Sequence, residues 1–276
     1  MNSDAKGNLC IYPSTMASGR PGWVHHFEQQ LEDHPSAKSY PFASVDTNGS
    51  PRVRYVVHRA LTPESSFLIF TTDTRMGKCT HLASDGRCEA SFWMEGSGVQ
   101  FRVAGEALIV PNDADVSPSA QKALESAVQK DSVRAVGEEK KADYWIGERE
   151  RNWTKGISGH LRATFARPTP GTPLDKVDRK PEDWTETMKP EGETVSIRCV
   201  PYSHAPHACD AKFLSVLGWQ DEQKQEAASA KANFTLVAIA PHTVEMLELK
   251  AVPNRRTVWT RPEQAGGQWT VQAVVP

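Results

Sequence analysis

The stretch Phe42-Ala43-Ser44-Val45-Asp46-Thr47-Asn48-Gly49-Ser50-Pro51-Arg52-Val53-Arg54-Tyr55-Val56-Val57-His58-Arg59-Ala60 decides the fold class. Phe42–Val45 reads as a strand, Asp46-Thr47-Asn48-Gly49 carries the Asn-Gly hairpin signal, and Arg52–Ala60 reads as the returning partner. The pattern continues outward. Phe67–Thr72 reads as a third strand, Thr74–Ser84 as a short helix ended by Asp85-Gly86, and Cys88–Met94 and Val99–Val110 as two strands joined through Gly96-Ser97-Gly98. Strands this close, joined by short turns, predict an antiparallel barrel or sandwich.

Upstream, Trp23, Phe27 and Leu31 recur every fourth residue and form one apolar stripe of a short helix over Trp23–Asp33. Residues 1–19 are small and polar and read as a disordered tail. Downstream, residues 118–166 read as helical, with Leu124 four from Val128 and Trp145 eight from Trp153. Arg167–Pro190 is rich in proline and charge and reads as loop, followed by a strand at Val195–Val200 and a helix over Asp210–Ala232. Phe234–Ala240, Val244–Leu249, Thr257–Thr260 and Trp269–Val274 close the chain as four short strands. No internal repeat is visible.

The bulk numbers exclude several function classes. A chain of 276 residues with 38% hydrophobic and 24% charged residues has enough material for a sizeable core. A formal net charge of -2 argues against capture of nucleic acid or an anionic membrane. No apolar run approaches the ~20 residues of a membrane span. The start of the chain lacks a signal-peptide pattern, and five unpaired-looking cysteines fit a reducing compartment, so a cytoplasmic setting is expected.

Chemistry concentrates in Arg54–Arg59 and in Thr71-Thr72-Asp73-Thr74-Arg75-Met76-Gly77-Lys78. Thr71 and Thr72 offer hydroxyls. Arg54, Arg75 and Lys78 offer charge beside a helix start, where unpaired backbone N–H groups also favour an anion. A phosphate monoester suits this set, although taken alone it reads as solvated surface cations. Arg54 and Arg59 are five apart and point to opposite faces of a regular strand. Both serve one ligand only across a bulge or between two subunits. Gln100 alternates with Phe101 and Val103, and its amide suits the mixed donor–acceptor edge of a flavin or base. Unaided, it reads as an outward polar residue of an amphipathic strand. Cys79 stands at the predicted helix start, where a thiol pKa falls, or else as a buried inert cysteine. Cys199, His204, His207 and Cys209 have zinc-ligand chemistry but no standard spacing, and no metal site is expected.

The ordered set Arg54…Arg59, Thr71-Thr72, Lys78 and Gln100 resembles the pyridoxamine-phosphate-oxidase superfamily, closest to a branch that binds FMN with an undefined substrate. Phe70–Lys78, Gln100–Gly105, Trp153, Phe165–Gly171 and the run from Val244 to Pro276 carry the resemblance, which spans roughly residues 20–171 and 233–276. It implies a mainly β fold with flanking helices (α+β), an FMN-binding split β-barrel, over 20–276, with an insertion at about 172–232. It also implies a homodimer with FMN between the subunits, and an oxidoreductase acting on a small molecule. A flavin-binding protein without catalysis is the alternative, and a haem-handling barrel a third reading for which no histidine is convincingly placed.

Carried over by position, Arg54 contacts the flavin or its phosphate, and Val56, Val57 and Arg59 line the ring. Thr71, Thr72, Arg75 and Lys78 hold the ribityl-phosphate end. Gln100 meets the pyrimidine edge and Arg256 closes the site. Three departures stand out. Gly77 replaces the arginine that usually precedes the lysine, Leu247 stands at the usual C-terminal tryptophan position, and no Arg-x-His precedes Arg256. These departures put pyridoxamine phosphate in doubt as the substrate. His58 is the one histidine of the ring-lining strand, and the insertion is expected to be dispensable for flavin binding.

Overall fold

The computed structural model describes residues 12–17, 19–111, 118–128, 135–192, 194–196, 219–263 and 267–276. After helix α1 (Gly22–Asp33) come strands β1 (Ser39–Val45), β2 (Pro51–Leu61) and β3 (Leu68–Asp73), helix α2 (Gly77–Ser84), and strands β4 (Arg87–Met94) and β5 (Val99–Ile109). Helices α3 (Pro118–Val128), α4 (Ala142–Arg151) and α5 (Gly159–Thr164) follow, with a π-turn at Asn152–Gly156. The small hairpin β6 (Thr185–Met188) and β7 (Thr194–Ser196) precedes α6 (Trp219–Asn233) and the closing strands β8 (Phe234–Glu248), β9 (Arg255–Thr260) and β10 (Thr270–Val274).

Six antiparallel strands close a barrel in the order β8-β3-β2-β1-β4-β5, with β5 pairing back onto β8. Strand β8 makes both closing seams. Its first half pairs with β3 (Phe70↔Val237, Thr72↔Thr235), while β5 runs along nearly all of it. Its second half carries β9, which carries β10. The expected hairpin is present: Gly49 N–H donates to the Asp46 carbonyl at 2.9 Å, and Gly49 holds a φ of +80° that favours glycine.

Phe234–Ala240 and Val244–Leu249 read as two strands because Pro241 interrupts them, yet they form one. Pro241 has no N–H to give a ladder, and it sits opposite Gly105 at the β5–β8 register shift. A Cβ on Gly105 would lie 2.3 Å from the Ala240 carbonyl oxygen, so glycine is what lets the two strands cross this bend.

Two cores share the wall. The barrel interior is packed by Tyr40, Phe42, Phe70, Phe92, Phe101 and Val237, plugged by Trp23 and Phe27 of α1 as the sequence stripe predicts. A second core lies outside β3 and β8, where Phe67, Ile69, Phe234, Leu236 and Ala238 meet Leu124, Val128, Trp145, Trp153 and Phe165 of the helical segment. Each large side chain buried here contributes about 1.5–3 kcal/mol.

The tail departs from expectation. From Tyr12 onward it packs on the barrel: Tyr12 donates to Glu248 at 3.0 Å, and Trp259 Nε1 donates to the Pro13 carbonyl at 3.1 Å. The zinc-type residues Cys199, His204, His207 and Cys209, and the first part of the predicted 210–232 helix, lie outside the described residues. Among the described residues, no group of side chains could hold a metal ion and no helix is long and apolar enough to cross a membrane.

Candidate functional site

Strand β2 sorts its residues as alternation demands. Val56 and His58 turn into the barrel, and Tyr55 and Val57 turn outward. Arg59 stands at the β2–β3 register shift between His58 and Ala60 and reaches Thr71 Oγ1 at 3.4 Å and the Gly156 carbonyl at 3.0 Å. With β3, the β3–α2 turn and α5, these residues line a cleft of about 410 Å³ that includes Val56, Val57, Arg59, Thr71, Thr72 and Lys78. That size falls in the ~300–1,000 Å³ range of small-molecule sites.

Lys78 lies in the first turn of α2 and lines the cleft half-buried. Its ammonium donates to Thr72 Oγ1 at 2.9 Å and lies 2.7 Å from the Met76 sulfur. Burial pulls its pKa below the ordinary lysine value and the nearby Arg54 charge pushes the same way, against a smaller upward pull from Cys79 and the Asp73 carboxylate. A half-buried cation that shares its neighbourhood with a second cation fits an anionic guest. Arg54 does not line the cleft. It lies toward the barrel end, where Nη1 donates to Ser44 Oγ at 2.7 Å and Nη2 is 3.4 Å from His81 Nδ1.

Arg75 does not line the cleft. Its guanidinium chelates Asp73 at 2.7–2.9 Å and donates to the carbonyls of Arg167 and Phe165 at 2.9 and 3.1 Å. It is a clamp between the β3–α2 turn and the Phe165–Arg167 segment, and its donors are engaged away from the cleft.

Gln100 and Arg256 also stand apart from the cleft. Gln100 lies opposite Leu247, and Leu247 opposite Arg256, so the two share one row on the barrel exterior across β5, β8 and β9. Gln100 donates to Ser91 Oγ at 3.2 Å, and Arg256 pairs with Glu245 at 2.6 Å. From β2 to β5 is three strand positions, roughly 14 Å of arc at ~4.8 Å per strand. Along β8, Leu247 is eleven residues beyond Leu236, the partner of Thr71, or up to ~35 Å of strand. The same subunit therefore does not bring this row to Lys78.

His58 is a core residue. Its ring packs edge-on against Phe27 and Phe92, its Nδ1 has no partner, and burial, with Lys38 and Arg59, lowers its pKa to about 4. Cys79 is buried, with Sγ 3.3 Å from the Asp73 carbonyl, and burial raises its pKa instead of the helix start lowering it.

The opposite wall of the cleft comes from residues that the sequence does not flag as binding. Leu161, Phe165, Arg167, Pro168, Leu174 and Trp184 line it, and Val177 joins them. Leu174, Val177 and Trp184 belong to the insertion at about 172–232, whose expected dispensability for flavin binding is a matter for deletion. The one available signal was Arg-Pro-Thr-Pro-Gly at 167–171, legible as a motif but not as a wall.

Residues 20–111 match the family model "Pyridoxamine 5'-phosphate oxidase, FMN-binding domain". No curated protein matches the chain significantly. Among solved structures, a pyridoxamine 5'-phosphate oxidase-related, FMN-binding protein from Nostoc punctiforme is 20% identical with a TM-score of 0.59, covering 94% of this chain and 100% of its own. PhzG from Burkholderia lata, solved with tetrahydrophenazine-1-carboxylic acid, is 14% identical with a TM-score of 0.53, covering 96% and 94%. Residues 20–111 thus resemble the FMN-binding domain of that family, and the chain as a whole shares the split-barrel fold of these two structures.

Proposed function

We propose that the chain binds FMN and uses it to oxidise or reduce a small molecule, as a homodimer with the flavin at the subunit boundary. The observation that supports this best is Lys78, half-buried between Thr72 and Met76 with Arg54 close by, while the nearby Asp73 carboxylate is chelated by Arg75. That donor set fits the phosphate of FMN. Thr71 and Arg59 continue the polar lining toward the outward face of β2, where Val57 and Tyr55 offer apolar surface to a flat ring.

The separation of the two groups of predicted ligands supports the dimer. Gln100 and Arg256 are too far around the barrel to join the cleft of their own subunit, so a second copy would supply them. The barrel face between the two groups is bare: Val53, Tyr55 and Trp93 are 67%, 72% and 47% exposed. Apolar side chains of that size gathered on one face suit an interface.

When bound, FMN supplies two-electron redox chemistry; the protein's part is to hold and orient it. Of the described carboxylates, the cleft lining holds Asp73, which Arg75 chelates, and no histidine lines it. That favours a second reading in which the protein carries flavin without a dedicated proton-transfer residue. A fluorescence titration with FMN tests the binding itself. Quenching that saturates at one FMN per chain, and that Lys78→Ala weakens, is expected; wild-type protein that neither carries nor binds FMN overturns the proposal. Turnover of amines, alcohols or reduced nicotinamide by the FMN-loaded protein then separates the two readings.

A further inference from the structure

Three arginines converge on the segment that roofs the cleft, and they are satisfied very differently. Arg162 is buried and donates to the carbonyls of Trp153, Ile157 and Met188 at 2.6–2.9 Å. Arg75 has its donors on Asp73 and on two carbonyls. Arg167 has almost nothing. Its Nε is buried without an acceptor, and Nη2 reaches only the Thr185 carbonyl at 3.5 Å, the edge of hydrogen-bonding distance.

The Arg167 guanidinium nevertheless has a defined place. It lies over the Trp184 indole at 5.7 Å, and both residues line the cleft. Its backbone is fixed as well: Arg75 holds the Arg167 carbonyl, and Arg75 and Asn233 both hold that of Phe165. These anchors tie Arg167 to the β3–α2 turn, the turn that leads into Lys78. A rigid backbone, an aromatic shelf and free donors describe an arginine arranged for a ligand. A buried cationic N–H without an acceptor costs free energy that an anion would recover.

We infer that Arg167 is an anion ligand of the cleft, donating to the phosphate of the bound flavin nucleotide from the side opposite Lys78. This rests on the flavin reading above and extends it to a residue outside the strand–helix cluster that carries the family pattern. It also divides the labour of the two arginines: Arg75 is the positioning residue that holds the roof, and Arg167 the one that meets the guest. On its other side Arg167 borders a second hollow of about 400 Å³, shared with Arg75, Lys176 and Arg179.

The test compares FMN with riboflavin, which lacks the phosphate, on full-length wild type, Arg167→Ala and Arg167→Lys. Arg167→Ala should weaken FMN binding about 10- to 100-fold, the scale of a lost charge-assisted hydrogen bond, and leave riboflavin binding within twofold. Arg167→Lys should restore part of the FMN affinity. The melting temperature of the flavin-free protein should hardly move, since Arg167 makes few contacts there. Equal losses for FMN and riboflavin would show that Arg167 only shapes the roof, and an unchanged FMN affinity would show that it does not meet the phosphate; either overturns the inference and leaves the flavin reading intact. Wild type that binds neither flavin overturns both.

Discussion

The barrel wall has two halves built from the same alternating strands and treated in opposite ways. On β3 and the first half of β8, both faces are covered, and Phe67–Phe70 and Phe234–Pro241 are buried without a break. On β2, β4 and the second half of β8, only the inward residues are buried, and Tyr55, Val57, Trp93 and Leu249 face outward. The covered half is finished within the chain by α3–α5 and the loop to Trp184. The bare half carries large apolar side chains with nothing of the chain described over them. The cleft lies at the border, where the helical cover ends against β2. A wall closed on one side and open on the other teaches that one set of strands can finish a core on one face and leave apolar surface on the other.

The largest expected effect comes from attacking the covered half. Phe234 packs on Trp153 and Phe165 at ring distances of 5.3 and 5.2 Å, so Phe234→Ala should cost about 3–5 kcal/mol of folding stability in a denaturant titration. A cost below about 1 kcal/mol would mean that the helices are not a core but a loose cover.

Next in size is a pH effect inside the barrel. His58 has a folded pKa of about 4 against 6.5, so the native state holds it neutral while the unfolded chain takes up a proton. The stability it contributes is complete above pH 6.5 and is lost as pH falls toward 4, by about 3 kcal/mol. Difference melting curves of wild type and His58→Phe between pH 7 and 4 should show that component vanish in the variant. Parallel curves would place His58 in contact with water.

At the border, Arg75→Ala should free the roof. Loss of its grip on Asp73 and on the two carbonyls should cost about 1–3 kcal/mol of stability and weaken FMN and riboflavin alike. A loss confined to FMN would restore Arg75 as a phosphate ligand. The smallest effect on folding belongs to the bare half. Tyr55→Asp should change stability by no more than about 0.5 kcal/mol in dilute protein yet shift the mass by light scattering from dimer to monomer. A wild type that is already monomeric while holding FMN would break the comparison, because the open wall would then need no partner.

The legible parts of the sequence are those where one face meets water. Val99–Val103 alternates cleanly because its outward residues, Gln100 and Arg102, are polar, and Asp46–Gly49 announces its own turn chemistry. β8 reads as two strands because Pro241 breaks the pattern, and only the partner Gly105 reveals the bend that accommodates it. Within the site, Lys78, Thr71, Thr72 and Arg59 are recognisable from their order, and the structure gathers them. Arg75 is misleading because a cation two residues from Asp73 can turn back on it as readily as outward. Arg167 and Trp184 are invisible to periodicity, since a proline-rich segment without repeating spacing does not say which surface it crosses.

The two seams made by β8 also set an order of events during synthesis. Once Ile109 has left the ribosome, β3-β2-β1-β4-β5 can assemble as an open curved sheet, but both its outer edges wait for a strand that begins at Phe234 and ends at Glu248. At ~5–20 residues per second that wait lasts roughly 10–30 s. Throughout it the nascent chain presents two unpaired edges, the feature that most invites β-aggregation. A cell making this protein must therefore shelter it until Phe234–Glu248 is translated, and a message truncated before Phe234 should yield inclusion bodies rather than a smaller barrel.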